Sequence, residues 1–115
     1  GIQMQGTRPV PPPTGGVESV VGVVWRSYDG NGNFEQLDNI KGSVTGLVPN
    51  RPGTGTYEVN PDCTGTTFFQ PDPDNPNLVI REIMVIVDEG NEIRTIGETP
   101  APLMVSSVGK RVHKH

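Results

Sequence analysis

Two carboxylates, Glu82 and Asp38, are the residues of this sequence best suited to transfer a proton. In an extended chain Glu82 shares its face with Met84, and Asp38 shares its face with Phe34 and Ile40. A carboxylate among apolar neighbours is costly to bury unless it is paired, hydrogen-bonded or protonated, and burial raises its pKa. Glu82 and Asp38 are therefore the predicted catalytic residues if the protein is an enzyme.

Other catalytic and metal-binding chemistry has few residues to draw on. The two histidines of the sequence, His113 and His115, lie in its last three residues, and a chain terminus is a poor place to hold a catalytic imidazole or a metal ligand. Cys63 is the only cysteine, which excludes a zinc ribbon, a dithiol redox site and an internal disulfide within this sequence. We expect no metal and no cofactor, and the sequence leaves open whether the protein is an enzyme.

Charge and hydropathy exclude two further classes of partner. Nine basic and thirteen acidic residues give a net charge of −4, whereas nucleic-acid binding requires a basic face. The best apolar runs, Val20–Trp25 and Ile83–Val87, have the length of a strand and not of a membrane-spanning helix. We therefore expect neither nucleic-acid binding nor membrane insertion.

The composition predicts an all-β fold in one domain, residues 1–115. Fifteen valines and seven isoleucines stand against one alanine and four leucines, and fifteen glycines and twelve prolines supply turns. Eight antiparallel strands with mostly short connections predict an eight-stranded up-and-down barrel, with a sandwich as the alternative. The predicted strands are Gly1–Gly6, Val17–Asp29, Phe34–Thr45, Gly55–Asn60, Thr66–Gln70, Leu78–Val87, Glu92–Glu98 and Leu103–Arg111.

Two hairpins indicate which side chains face the interior. A turn at Asp88–Asn91 places Ile86 opposite Ile93, which puts Glu82 on a nearly apolar inner face; that face comprises Glu82, Met84, Ile86, Ile93, Thr95 and Gly97. The turn within Asp29–Asn33 leaves two registers open. A three-residue loop places Arg26, Gln36 and Asp38 on one face, whereas a two-residue loop brings Trp25 and Asp38 together. The sequence also leaves open whether that face is inward.

The run Arg51–Thr66 (RPGTGTYEVNPDCTGT) resembles a signature of small secreted bacterial β-barrel proteins of unassigned role, as do the turn Tyr28–Phe34 and the opening Gly6–Pro9. This family is similar to the calycin-like barrels, which include allene-oxide-cyclase-like and lipocalin-like domains. The resemblance implies an eight-stranded barrel, a secreted or periplasmic location and an apolar cavity. Relatives in that wider group bind hydrophobic molecules or steer their cyclisation, but no catalytic motif carries over residue by residue.

Three functions are compatible with these observations. The favoured hypothesis is a barrel that binds a small apolar molecule in its interior. The second is a carboxylate-dependent cyclase, isomerase or hydrolase acting on a hydrophobic substrate, with Tyr57 or Arg26 stabilising developing charge. The third is an extracellular structural protein that forms homo-oligomers through edge strands or Cys63. The predicted ligand-binding residues are Trp25, Arg26, Tyr28, Phe34, Tyr57, Met84, Ile86, Ile93 and Thr95.

Overall fold

Alternating inward and outward side chains build eight antiparallel strands that close into a barrel. The computed structural model describes residues 1–112, so His113 and His115 lie outside the described residues. Each strand pairs with the next, and β8 pairs with β1 to complete the closure. The predicted eight-stranded up-and-down barrel is confirmed. The strands are β1 Ile2–Pro9, β2 Val17–Tyr28, β3 Asn33–Gly42, β4 Gly46–Val59, β5 Thr64–Gln70, β6 Ile80–Val87, β7 Glu92–Thr99 and β8 Met104–Lys110.

The up-and-down order gives the barrel two mouths with different loops. The upper mouth carries the β2–β3, β4–β5 and β6–β7 turns, together with the start of β1 and the end of β8. The lower mouth carries the two long proline-containing connections, β1–β2 and β5–β6, and the β3–β4 and β7–β8 turns. The site described below lies at the upper mouth.

The fourth strand is longer than the sequence predicts. The prolines and glycines before Gly55 predict a turn-rich connection, whereas β4 is continuous from Gly46. A register shift opposite the segment between Asp38 and Ile40 places Pro49 and Asn50 in a bulge, where Asn50 has a φ of 50°, and the proline and glycine that follow pair with β3. A bulge tolerates proline because one residue of the strand is left outside the hydrogen-bond ladder. The longer strand places Arg51 directly opposite Asp38.

Two glycines of β4 make room for aromatic rings in the lumen. An added Cβ at Gly53 would collide with the ring of Phe69, and one at Gly55 would collide with the ring of Phe34 and the main-chain oxygen of Phe68. Phe34 and Phe69 consequently stack with a centroid separation of 6.2 Å and are almost fully buried. The glycines thus allow close packing between the β4 backbone and the aromatic core.

A buried carboxylate closes the lower mouth. Glu18 accepts hydrogen bonds from the main-chain N–H groups of Val44 and Thr45, each at 2.9 Å, and from the Arg8 guanidinium at 2.9 Å. The main-chain N–H of Thr45 contributes most to lowering the pKa of Glu18 from 4.5 to about 2; burial opposes this shift, and the N–H of Val44, Arg8 and the Thr45 hydroxyl add to it. The ionised carboxylate thereby fixes the β3–β4 turn against the barrel end.

Candidate functional site: a cleft at the upper mouth

Both predicted hairpin registers can be compared with the structure. Ile86 pairs with Ile93, which confirms the predicted β6–β7 register. Tyr28 pairs with Phe34, so the β2–β3 turn has the three-residue form. The Asp29 carboxylate accepts the N–H groups of Asn31 and Asn33, which stabilises this turn and lowers the pKa of Asp29.

The three-residue turn determines which charges face the lumen. Arg26, Gln36 and Asp38 lie together on the inner face, because they alternate with the exposed residues of β2 and β3. Trp25 is consequently on the outer face, where 52% of its surface is exposed. Its neighbours Val24 and Arg26 take the inward positions, so Trp25 does not face the lumen, and its part in ligand binding stays a prediction.

A charged network crosses the middle of the lumen and is centred on Glu82. One Glu82 oxygen accepts hydrogen bonds from Arg26 at 3.1 Å and from the Thr67 hydroxyl at 2.7 Å. The other oxygen accepts the Thr95 hydroxyl at 3.3 Å, and Thr95 is hydrogen-bonded to Ser107. The Glu82 and Arg26 side chains are only 14% and 7% exposed. Glu82 is thus an inward, paired carboxylate and not an isolated one.

The network continues from Arg26 to the second predicted carboxylate. The Gln36 carboxamide oxygen accepts two hydrogen bonds from Arg26, at 2.9 and 2.7 Å, and its amide donates to Asp38 at 2.9 Å. Asp38 also accepts Arg51 at 3.0 Å and is 1% exposed. The structure therefore brings Glu82 and Asp38 into one polar network, with Gln36 and two arginines between and beside them.

The lumen around this network is largely filled. A cavity of about 100 Å³ lies between the charged residues and an apolar cluster of Val20, Val24 and Ile40. Three water molecules occupy about 90 Å³ in the liquid, so this space corresponds to a few waters. No buried side-chain nitrogen or oxygen in the described part of the chain lacks a hydrogen-bond partner. The lumen holds charged residues from several strands, so the nearly apolar face of β6 and β7 does not represent the whole interior.

A larger space opens above the network, at the upper mouth. This mouth cleft, as we call it, has a volume of about 650 Å³, and its lining includes Arg26, Tyr28, Ile93, Thr95 and Ser107. β1 pairs with β2 only as far as Ile2 with Val24, whereas β2 continues to Tyr28. The cleft therefore reaches both faces of the last four residues of β2, and the exposed Trp25 borders its outer part.

Aromatic rings form one wall below the upper mouth. Tyr28 contacts Phe34 at a centroid distance of 5.8 Å and meets Tyr57 edge-on at 5.0 Å. The Arg26 guanidinium lies 4.1 Å from the centre of the Phe34 ring, a cation–π contact. This packing fixes the guanidinium at the floor of the cleft, where it is held on one side by Phe34 and on another by Glu82.

The predicted ligand-binding residues divide into two groups in the structure. The residues that line the mouth cleft are Trp25, Arg26, Tyr28, Ile93 and Thr95. The remaining inward residues, Phe34, Tyr57, Met84 and Ile86, do not line the cleft, and Phe34 and Met84 are 2% and 1% exposed. These last two fill the barrel and do not present a surface to a ligand.

Several residues of the site were not identifiable as such from the sequence. Ser107 lines the cleft from β8, and Thr67 contacts Glu82 from β5. Their small polar side chains carry no motif, and only the alternation of inward positions along each strand could have indicated them. Arg51 escapes prediction because its segment has the composition of a loop.

The described residues contain no metal-binding cluster, and comparison with known proteins gives no match to the chain. Among residues 1–112, no group of three or more His, Cys, Asp or Glu residues is arranged to hold a metal ion. No helix in that part of the chain is long and apolar enough to cross a membrane. The chain matches no protein-family model, no curated protein and no solved structure.

Proposed function

We propose that the protein binds a small, mainly apolar molecule in the mouth cleft of the barrel. The observation that carries this proposal is the cleft of about 650 Å³, which lies in the size range of small-molecule sites. Its wall combines apolar surface from Ile2, Ile93 and Tyr28 with a few polar groups at its inner end. That combination is typical of pockets that bury an apolar body and orient it through one polar contact.

The proposal places the ligand at the mouth and only its inner end in the lumen. The cavity deeper in the barrel, at about 100 Å³, is too small for the body of such a molecule. Phe34 and Phe69 occupy the space beside it. A ligand that enters from the upper mouth therefore meets Arg26 and the Thr95–Ser107 hydroxyl pair as the floor of its site. A secreted or periplasmic location, expected from the family resemblance, is part of the same proposal.

The contacts of the carboxylates favour binding over carboxylate catalysis. Both oxygens of Glu82 and both oxygens of Asp38 accept hydrogen bonds from neighbouring side chains. A general base must reach a proton of its substrate. These oxygens instead accept hydrogen bonds within the charged network of the lumen. Glu82 and Asp38 are accordingly assigned a structural role in this proposal.

A fluorescence titration with N-phenyl-1-naphthylamine tests the proposal, because this neutral probe brightens in an apolar site. We expect saturable binding with one site per barrel. Ile93 faces the cleft and Ile96, on the same strand, is 55% exposed on the outer face. Ile93→Gln should weaken binding about tenfold, the loss expected for one buried aliphatic contact, while Ile96→Gln should leave it unchanged. Equal effects of the two substitutions, or no saturable binding, would contradict the proposal.

A further inference from the structure

We propose that the mouth cleft selects organic acids, that is, molecules with an apolar body and one carboxylate. This inference rests on the proposed function and specifies the chemical class of its ligand. It comes from the charges around the cleft, the hydrogen-bonding capacity that remains at its floor, and the contrast with the rest of the chain.

The lining of the mouth cleft is basic in a protein that is acidic overall. Arg26, Lys110 and Arg111 belong to the lining, and no Asp or Glu does so within the described residues. The whole chain carries a net charge of −4. The carboxylate of Glu92, which lies opposite Lys110 in the β7–β8 ladder, is bonded to Arg94, which leaves Lys110 and Arg111 as the positive charges at the rim. An anion entering the cleft therefore meets positive charge at the rim and the paired guanidinium of Arg26 at the floor.

The floor of the cleft has donors in excess of its present partners. The Arg26 Nε and Nη2 atoms donate to Gln36 and Glu82, whereas among residues 1–112 Nη1 donates only to the Tyr28 hydroxyl, at a long 3.4 Å. The charge of Arg26 is balanced by Glu82, but an Nη1 hydrogen and the Tyr28 hydroxyl hydrogen remain available to an incoming oxygen. A carboxylate accepts two such hydrogen bonds in parallel, and those to an ionised donor are the stronger ones.

A second pair of hydroxyls lies beside this position. Either atom of the Thr95–Ser107 hydrogen bond can be the donor. When Thr95 donates to Ser107, the Ser107 hydroxyl hydrogen is free for a ligand oxygen. The Glu82 oxygen bonded to Arg26 and Thr67 then keeps both bonds, whereas the other Glu82 oxygen loses the bond from Thr95. The floor can thus supply a third donor to an anion in exchange for the longest of the Glu82 hydrogen bonds, at 3.3 Å.

Competition with bound N-phenyl-1-naphthylamine by three matched naphthalene compounds tests this inference. The compounds are 2-naphthoate, 2-naphthamide and methyl 2-naphthoate, which share an apolar body. The first carries a negative charge at its polar end, and the other two are neutral. At pH 7 and low salt we expect 2-naphthoate to bind about tenfold more tightly than the neutral amide, the ratio that corresponds to 1.4 kcal/mol. Added salt should reduce the preference, because Arg111 is exposed.

Variants that leave the charged network around Glu82 intact show which side chains cause the preference for the acid. Tyr28→Phe and Arg111→Gln should each reduce the ratio of the affinities for the acid and the amide about threefold. Lys41→Gln is the matched control, because Lys41 is an exposed residue of β3 that does not belong to the lining of the mouth cleft. Equal binding of the acid and the amide would overturn the inference and leave the proposed function standing. Failure of all three compounds and of the fluorophore to bind would instead overturn the proposed function. Acid preference that survives both cleft substitutions would show that the carboxylate binds elsewhere.

Discussion

The buried ion pair between Arg26 and Glu82 predicts a large loss of stability when its negative charge is removed. Glu82→Gln keeps the size of the side chain and its hydrogen bonds with the Thr67 and Thr95 hydroxyls, but leaves the guanidinium without a counter-charge. Breaking a buried pair in this way costs about 3–5 kcal/mol. Gln36 and the Phe34 ring still contact the guanidinium, so we expect the lower end, about 3 kcal/mol. At about 3–4 °C per kcal/mol for a chain of this size, Tm should fall by about 10 °C.

An exposed pair between β6 and β7 provides the control. Arg81 and Glu98 are 2.9 Å apart, with side chains that are 46% and 37% exposed. Because water and salt screen such a pair, Glu98→Gln should cost less than about 1 kcal/mol. Urea unfolding followed by circular dichroism measures both variants, and an unchanged dependence on urea shows that the same surface is exposed on unfolding.

A double substitution separates the charge effect from the packing effect. Arg26→Met and Glu82→Met together remove both charges, and a buried pair replaced by apolar groups of similar size is often tolerated. The double variant should therefore lose less stability than the sum of the two single variants, by more than about 1 kcal/mol. The reasoning is refuted if Glu82→Gln costs no more than Glu98→Gln, or if the two methionine substitutions are additive.

Three further measurements follow from other parts of the barrel. The folded pKa of Glu18 is about 2, below its ordinary 4.5, so its stabilising effect is complete above pH 5 and declines as the pH falls towards 2. The stability difference between wild type and Glu18→Gln should shrink over that interval, and a pH-independent difference would contradict the assignment. Gly55→Ala should destabilise the fold by more than about 2 kcal/mol in urea unfolding, because its methyl group would overlap the Phe34 ring; a neutral effect would contradict the packing described. Cys63 is exposed and unpaired, so a thiol reagent should modify it at the same rate in folded and urea-unfolded protein, and protection in the folded state would contradict this.

The sequence was sufficient to predict the barrel because strand signals and turn signals agree along most of the chain. β-branched residues mark the strands, and Asn and Gly mark the turns that reverse them. The β6–β7 register could be derived because a turn between two apolar runs leaves one pairing that keeps Ile86 opposite Ile93. Composition did not predict the start of β4, because prolines and glycines are compatible both with a loop and with an irregular strand. Only the bulge opposite the Asp38–Ile40 segment shows that they belong to a strand.

The candidate site was predictable only in part, for a reason that lies in the closure of the barrel. Periodicity within one hairpin places Glu82 on the inner face. It does not show which residues of the other strands contact Glu82 there. Arg26 lies 56 positions away in the chain and reaches Glu82 across the lumen. The face of Trp25 could not be derived because the number of residues in a turn decides which face each neighbour occupies, and the Asp29–Asn33 turn allowed two lengths. Contacts of this kind depend on three-dimensional closure and leave no local pattern.

The position of a bound ligand tests the central claim most directly. Chemical-shift mapping by NMR, with isotope-labelled protein titrated with N-phenyl-1-naphthylamine, locates the binding site residue by residue. The mouth-cleft proposal predicts that the largest shifts occur at Tyr28, Ile93, Thr95 and Ser107. Largest shifts at the exposed apolar residues of the outer face, such as Val21 and Val23, or no shift at saturating probe, would contradict it.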